Sequence, residues 1–545
     1  MKKYFLGLLS ILCCGILLSQ TKTNGQASKP KMVIGIVVDQ MRYDYITRYW
    51  SKFGEGGFKR LVSEGFSFQN AQYNYVPTYT GPGHASIYTG TTPAVHGIIA
   101  NEWYDKNSGK LVYCSEDKKV NSVGVAEGVA GQMSPRNMLS STIGDQLKLH
   151  TNQRSKVIGI SLKDRSSIFP AGHSANAAYW YDNSGKFISS THYLKSLPEW
   201  VNSFNAKEWP KLYLTQGWKP LLPIEKYTES ISDENTYEGD PARKGKSVFP
   251  YTYETFVSKN EFSILRATPF GNSILKEFAL ECIKNEKLGE GSETDMLCIS
   301  FSSTDYIGHS FGPRAVETED TYLRLDSDLS QLLNSMDQKF GKGNYLVFLS
   351  ADHGGCDVPA HLADLKMPGG YINEIEIESE TKKHMLQVYG DSLISSYSNQ
   401  QFFLNDAILA AKKLDKEVIA KKIADFVLKF NGVAEAYPAD YVKYENMNEN
   451  NFRSLLQKGY NFQRSGDVLV TYRPGYMDYA VKGTTHGSEF SYDTHVPIIF
   501  FGWKVKKGNS VHKVFVTDIA PTICNLLGIA FPMGNTGNPL PEVSR

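Results

Sequence analysis

Short apolar runs recur along this chain, and several end in charged or metal-ligating side chains. Residues 32–38 end in Asp39, and residues 156–162 end in Lys163-Asp164-Arg165. Residues 295–301 lead through Ser302-Ser303-Thr304 into Asp305, and residues 344–350 lead through Ala351 into Asp352-His353. Runs this short, rich in β-formers and bounded by turn residues, predict buried strands. A further run, 496–501, closes the series. Between the runs lie stretches with a helical period; Leu325, Leu329, Leu332, Leu333 and Met336 put one apolar stripe ahead of the run at 344. This alternation predicts an α/β class, with a mostly parallel, doubly wound sheet flanked by helices. Open sheets of that class bind ligands at the C-terminal ends of their strands, which is where these polar residues fall.

The chain has 545 residues, more than one ordinary core holds, so insertions or a second domain are expected. The core is assigned to residues 30–174, 290–364 and 481–545, ending in an apolar helix within 514–527 that has Asp518 near its start. Residues 175–270, rich in Tyr, Trp, Ser and Asn with weak periodicity, read as an insertion. Residues 365–480, with short helices at 406–415 and 417–430 and a strand-like run at 467–472, read as another. Both are expected to cap the edge of the sheet that carries the site.

Lys2-Lys3, the apolar stretch 4–18 and the small residue Ser19 read as a signal peptide over 1–19. The expectation is therefore export, to the periplasm in the first place. Leu12 before Cys13-Cys14 stands where a lipoprotein leader would have a small residue, which favours a soluble product over a lipid anchor. No later stretch approaches the about 20 apolar residues needed to span a bilayer. A net charge of +1 with no Lys/Arg run excludes nucleic acid and other polyanions as partners. The cysteines beyond the leader, Cys114, Cys282, Cys298, Cys356 and Cys524, are odd in number and scattered, which is no disulfide framework. Cys356, near the Asp-His turn, reads as a loop residue in preference to a soft ligand.

The strand ends offer two mixed carboxylate–imidazole sets: Asp39, Asp352 and His353, and Asp305, His309 and His486. Such trios suit Zn²⁺ with one position open. Asp305 and His309 are four apart, so one helical turn places them on one face. Thr80, in Pro77-Thr78-Tyr79-Thr80-Gly81-Pro82-Gly83-His84, precedes a predicted helix that has Pro82 in its first turn. A hydroxyl there meets the positive end of a helix dipole. A threonine hydroxyl is a poor nucleophile until a neighbouring metal ion lowers its pKa. Lys163 and Arg165, two apart on an extended chain, would point the same way and clamp phosphoryl oxygens. Asn101 could donate an amide hydrogen bond to the same oxygens, whereas His84 and His96 are assigned to packing or to support of the ligands.

Val-Val-Asp39-Gln-Met-Arg42, Pro-Thr-Tyr-Thr80-Gly-Pro-Gly-His84, His96-Gly-Ile-Ile-Ala-Asn101-Glu-Trp-Tyr104 and Ser-Leu-Lys163-Asp-Arg165 together resemble the alkaline phosphatase superfamily. Within it, the chain is most similar to the PafA-type bacterial phosphate monoesterases. Ser-Thr-Asp305-Tyr-Ile-Gly-His309, Ser-Ala-Asp352-His353-Gly and Gly-Thr-Thr-His486-Gly extend the resemblance from about residue 30 to the C-terminus. It implies two Zn²⁺ per chain, one held by Asp305, His309 and His486, the other by Asp39, Asp352, His353 and Thr80. It also implies that Thr80 forms a phosphoryl-enzyme while Asn101, Lys163 and Arg165 hold the substrate's oxygens. Small phosphate monoesters are the implied substrates, with a two-zinc phosphodiesterase or nucleotide pyrophosphatase as the alternative. A sulfatase would need a Cys or Ser nucleophile in a Cys/Ser-x-Pro-x-Arg setting, which Thr80-Gly-Pro-Gly-His84 lacks. The sequence around Gly354-Gly355-Cys356 departs from the family pattern.

Overall fold

The computed structural model describes residues 28–125, 128–444 and 451–544. The leader assigned to 1–19 lies outside the described residues.

Ten strands form the central sheet. Their order is Gly508–Phe515, Phe66–Gln72, His495–Gly502, Leu346–Ser350, Met32–Val38, Asp295–Phe301, Val157–Ser161, Ala177–Tyr181, Phe187–Ser190 and Ser122–Val123. The five strands from Leu346–Ser350 to Ala177–Tyr181 run parallel, while His495–Gly502 and Phe187–Ser190 run against them. The sheet is thus mostly parallel and flanked by helices, as the alternation of runs predicts. Every residue of Met32–Val38 and of Asp295–Phe301 is buried. Covered on both faces, such strands carry continuous apolar runs rather than alternating ones.

Register aligns the strand ends that matter. Ile36 pairs with Leu349 and with Ile299, and Ile160 also pairs with Ile299. Asp39, Lys163, Asp305 and Asp352 therefore leave the sheet along one edge. The helix Val316–Phe340 buries Leu325, Leu329, Leu332, Leu333 and Met336 in the main core.

Two expectations need correction. The stretch 175–270 does not begin as an insertion, because Ala177–Tyr181 and Phe187–Ser190 extend the central sheet. Their polar and aromatic residues hide the strand pattern: AAYWY is buried throughout, although Tyr and Trp read as surface-tolerant. The run at 496–501 is not the last strand of the sheet either. Gly508–Phe515 follows it at the edge, half-polar and therefore missed.

Residues 365–480 hold a separate four-stranded sheet, in the order Ile394–Ser398, Gln401–Leu404, Val468–Tyr472, Val433–Pro438. It has its own buried cluster, with Phe402, Ile419, Ile423, Val427 and Val470 at its centre. All five cysteines beyond the leader are free and buried.

Leu329 is fully buried beneath the sheet. Leu329→Ala should lower stability by about 2–5 kcal/mol, the usual cost of a large-to-small core change. Denaturant unfolding followed by tryptophan fluorescence checks it; a midpoint unchanged from wild type would contradict this packing.

Candidate metal centre

Asp39, Asp352 and His353 are all fully buried, and their ligand atoms lie within 4.8 Å of one another. Asp305, His353 and His486 form a second such group. His353 is common to both, with Nε2 3.6 Å from Asp39 Oδ1 and 3.5 Å from Asp352 Oδ2. His309 lies outside both groups but directs Nε2 at Asp305 Oδ1, 3.2 Å away, while His486 Nε2 lies 3.7 Å from the same oxygen. Asp305 and His309 share the short helix Ser303–Phe311, so their spacing of four puts them on one face.

Each imidazole is oriented by a backbone carbonyl. His309 Nδ1 contacts Thr484 O at 2.7 Å, His353 Nδ1 contacts Gly354 O at 2.9 Å, and His486 Nδ1 contacts Thr78 O at 2.7 Å. A carbonyl only accepts, so Nδ1 carries the proton and Nε2 keeps its lone pair for a ligand. Burial pushes His486 down to about 3 and His353 well below the usual imidazole range, with the neighbouring ring adding in each case. These two rings are neutral, as metal ligands must be.

The carboxylates show the complementary signature. Asp39 Oδ1 and Asp352 Oδ2 are buried and accept no hydrogen bond. Burial raises the Asp352 carboxyl well above its ordinary value, and the Asp39 carboxylate adds to that. Burial acts the same way on Asp305, but His309 and Lys163 hold its carboxyl well below the ordinary value. Lys163 Nζ stands between Asp39 Oδ2 at 2.7 Å and Asp305 Oδ2 at 2.5 Å. One ammonium among three buried carboxylates leaves negative charge over, and unpaired charge in the interior is costly. Oxygen and imidazole donors with orphaned lone pairs fit divalent cations, zinc among them.

Thr80 is the first residue of the helix Thr80–Thr89, not the residue before it; Tyr79 holds the cap position without a side-chain cap. Thr80 Oγ1 lies 3.4 Å from His353 Nε2. The helix can come this close because Gly83 has no side chain: a Cβ there would lie 2.3 Å from Asp352 O. The Gly81 N–H donates to Asn101 Oδ1 at 2.8 Å, so the amide nitrogen is the end of Asn101 left for a ligand.

Lys163 and Arg165 do not follow the extended spacing. Lys163 is the last extended residue and Arg165 already lies in the first turn of the helix Asp164–Ala171. Arg165 Nη1 donates to the Tyr113 hydroxyl at 2.9 Å, which in turn donates to Asp164 at 2.6 Å, while Arg165 Nε has no partner. The clamp geometry therefore depends on Tyr113, which the spacing alone does not reveal. Gln40 is the other residue missed. It adopts a left-handed φ of 59°, its N–H donates to Asp352 Oδ1 at 3.1 Å, and its Nε2 donates to Asp305 Oδ1 at 2.9 Å. Its position directly after Asp39 was the available signal.

His84 and His96 are buried and belong to neither group, although His84 Nδ1 lies 3.3 Å from Asp352 Oδ2. His84 joins Thr80 O at 2.9 Å and Ser300 Oγ at 2.8 Å, whereas His96 contacts Ser86 Oγ at 2.9 Å. Cys356 serves through its backbone: its N–H donates to Thr485 O and its carbonyl accepts from Thr484 Oγ1. The turn after His353 is thereby tied to the loop that carries His486.

A model of the type I phosphodiesterase / nucleotide pyrophosphatase family matches residues 33–495. Alkaline phosphatase PafA of Elizabethkingia meningoseptica is 45% identical over 545 residues, 99% of each chain. Alkaline phosphatase PhoV of Synechococcus elongatus is 44% identical over 522 residues, 95% of this chain and 93% of that one. The crystal structure of wild-type PafA superposes with a TM-score of 0.92, covering 95% of this chain and all of the other.

Zn²⁺ added to metal-stripped protein should raise Tm, since a ligand at 100 times its Kd stabilises the fold by about 2.7 kcal/mol. His353→Ala, which removes a donor of the Asp39 group, and His486→Ala, which removes one of the Asp305 group, should each lose part of the rise. Differential scanning fluorimetry compares the three proteins, and an equal rise in all of them would refute metal binding by these histidines.

Proposed function

This chain belongs to the type I phosphodiesterase / nucleotide pyrophosphatase family of the alkaline phosphatase superfamily, and from that premise we propose an exported zinc phosphatase with a phosphothreonine intermediate on Thr80. That it hydrolyses phosphate monoesters follows from its full-length similarity to PafA and PhoV. The finer reading rests above all on the buried approach of Thr80 Oγ1 to His353 Nε2, beside carboxylate oxygens that have no hydrogen-bond partner.

In this reading Asp39, Asp352, His353 and Thr80 hold one zinc, and Asp305, His309 and His486 hold the other. Bound zinc supplies Lewis-acid stabilisation of oxygen charge and lowers the pKa of a hydroxyl near it. The residues of the chain do the rest. Thr80 Oγ1 loses its proton and attacks phosphorus; the P–O bond to the leaving alcohol breaks, and that oxygen takes up a proton. Water then attacks the phosphothreonine, the bond to Oγ1 breaks, and inorganic phosphate leaves. Thr80 opens a helix, so developing charge on Oγ1 lies at the positive end of the helix dipole. His84 pins the Thr80 carbonyl and thereby the start of that helix.

Arg165 Nε and the Asn101 amide are the donors assigned to the non-bridging oxygens, with Lys163 neutralising charge beside them. A monoester carries one more anionic oxygen than a diester, so two cationic side chains favour it over the phosphodiesterase alternative. Export follows from the leader over 1–19. Among the described residues, no helix is long and apolar enough to cross a membrane.

Purified protein should contain about two zinc per chain, and Thr80→Ala should lose several orders of magnitude in kcat/KM for p-nitrophenyl phosphate. Near-normal turnover in that variant would refute the nucleophile. The wild type should prefer p-nitrophenyl phosphate to its bis ester; the reverse preference would assign a phosphodiesterase.

A further inference from the structure

Lys163 and Arg165, the two cations assigned to the phosphoryl oxygens, both line a cavity of about 400 Å³, a size that suits a small organic ligand. Lys163 is already engaged, because its Nζ stands between Asp39 Oδ2 and Asp305 Oδ2. Tyr306 follows Asp305 on its helix, and its ring centroid lies 5.1 Å from Lys163 Nζ; it belongs to the same wall. The cavity therefore borders the phosphoryl-binding side chains directly.

A third cation, Arg266, lines the same space from the short helix Phe262–Ala267. Neutral acceptors hold its guanidinium: Nη1 donates to Asn183 Oδ1 at 2.7 Å and Nη2 to Tyr181 O at 2.5 Å. Its Cζ lies 5.2 Å from the Tyr181 ring centroid, and its buried Nε donates to nothing. Among the described residues no carboxylate pairs with Arg266, nor with Arg165, whose Nη1 goes to the Tyr113 hydroxyl. Guanidinium groups withdrawn from solvent are normally paired. These two are fixed in place and keep their charge for whatever enters the cavity. Two acids also line it, and each is occupied locally. Asp164 Oδ1 accepts from the Tyr113 hydroxyl at 2.6 Å and Ser115 Oγ at 3.3 Å, while Asp182 Oδ1 accepts from Ser184 N at 3.0 Å and Ser184 Oγ at 2.6 Å.

Two unpaired guanidinium groups on one cavity suit two anionic groups of one ligand, since each can take carboxylate or phosphoryl oxygens through charge-assisted hydrogen bonds. Arg165 is assigned to the phosphoryl group that reacts, which leaves Arg266 for a second anion. We propose that this cavity is a specificity subsite for phosphate monoesters whose organic part carries a carboxylate or a further phosphoryl group, with Arg266 as the recognising side chain. The assignment of the first anion to Arg165 rests on the phosphatase reading above; the lack of a counter-charge at Arg266 does not.

The test uses zinc-loaded full-length enzyme with 2-carboxyethyl phosphate and its neutral amide, 2-carbamoylethyl phosphate. The wild type should show a kcat/KM about tenfold or more higher for the acid, as a charge-assisted pair provides. In Arg266→Gln the ratio should fall toward one with the amide unchanged, and Arg266→Lys, which keeps the charge, should retain part of the preference. A ratio near one in the wild type, a preference that survives Arg266→Gln, or equal loss in both variants would overturn the proposal. Calorimetry with 4-phosphonobutanoate, which is not hydrolysed, separates the subsite from the phosphatase reading. Tighter binding than that of its amide by the wild type, lost in Arg266→Gln, supports the subsite even if neither ester is turned over. Equal affinity for acid and amide would overturn it whatever the activity.

Discussion

Three carboxylates, Asp39, Asp305 and Asp352, converge in the interior at the C-terminal edge of a parallel sheet, and much of the surrounding structure answers that concentration of charge. Like charges in a low dielectric repel strongly, and each loses its hydration on burial. Lys163 bridges two of them. Gln40 donates to Asp305 from its side chain and to Asp352 from its backbone. What remains is a pair of oxygens on Asp39 and Asp352 that accept no hydrogen bond, donors that suit a bound cation. The site is thus a fold-level electrostatic arrangement and not a set of ligands hung on loops.

The same constraint explains the backbone around it. Gln40 takes a left-handed conformation, unusual for a residue with a side chain, and its two donated hydrogen bonds hold it there. Gly308 packs against it so closely that a Cβ would lie 1.8 Å from Gln40 Oε1. Gly83 likewise lets the Thr80 helix rest on Asp352. Close backbone approach at these two glycines brings the hydroxyl, the imidazole and the carboxylates within reach of one another.

Legibility from sequence followed the strength of the local pattern. Met32–Val38 and Asp295–Phe301 were readable to the residue because both faces of each strand are buried and the apolar run is unbroken. Ala177–Tyr181 escaped because a buried Tyr-Trp-Tyr run looks like part of a polar, aromatic insertion. Gly508–Phe515 escaped because an edge strand keeps one side in solvent. Among site residues, Asp-His at a strand end and Asp-x-x-x-His on a helix carry their spacing with them. Tyr113 and Gln40 carry none; their roles come from hydrogen bonds to residues 51 and 265 positions away.

By itself the sequence determined the α/β class, the strand ends that bear ligands and the residue types that converge there, since burial and periodicity are local properties of the chain. Tertiary structure alone decided that His353 lies beside both clusters, that Lys163 sits between two carboxylates, and that Arg165 is braced by Tyr113 on the first turn of a helix. Those outcomes depend on register between strands and on backbone contact at Gly83 and Gly308. Such long-range distances are set only when the sheet is assembled, and no spacing along the chain encodes them.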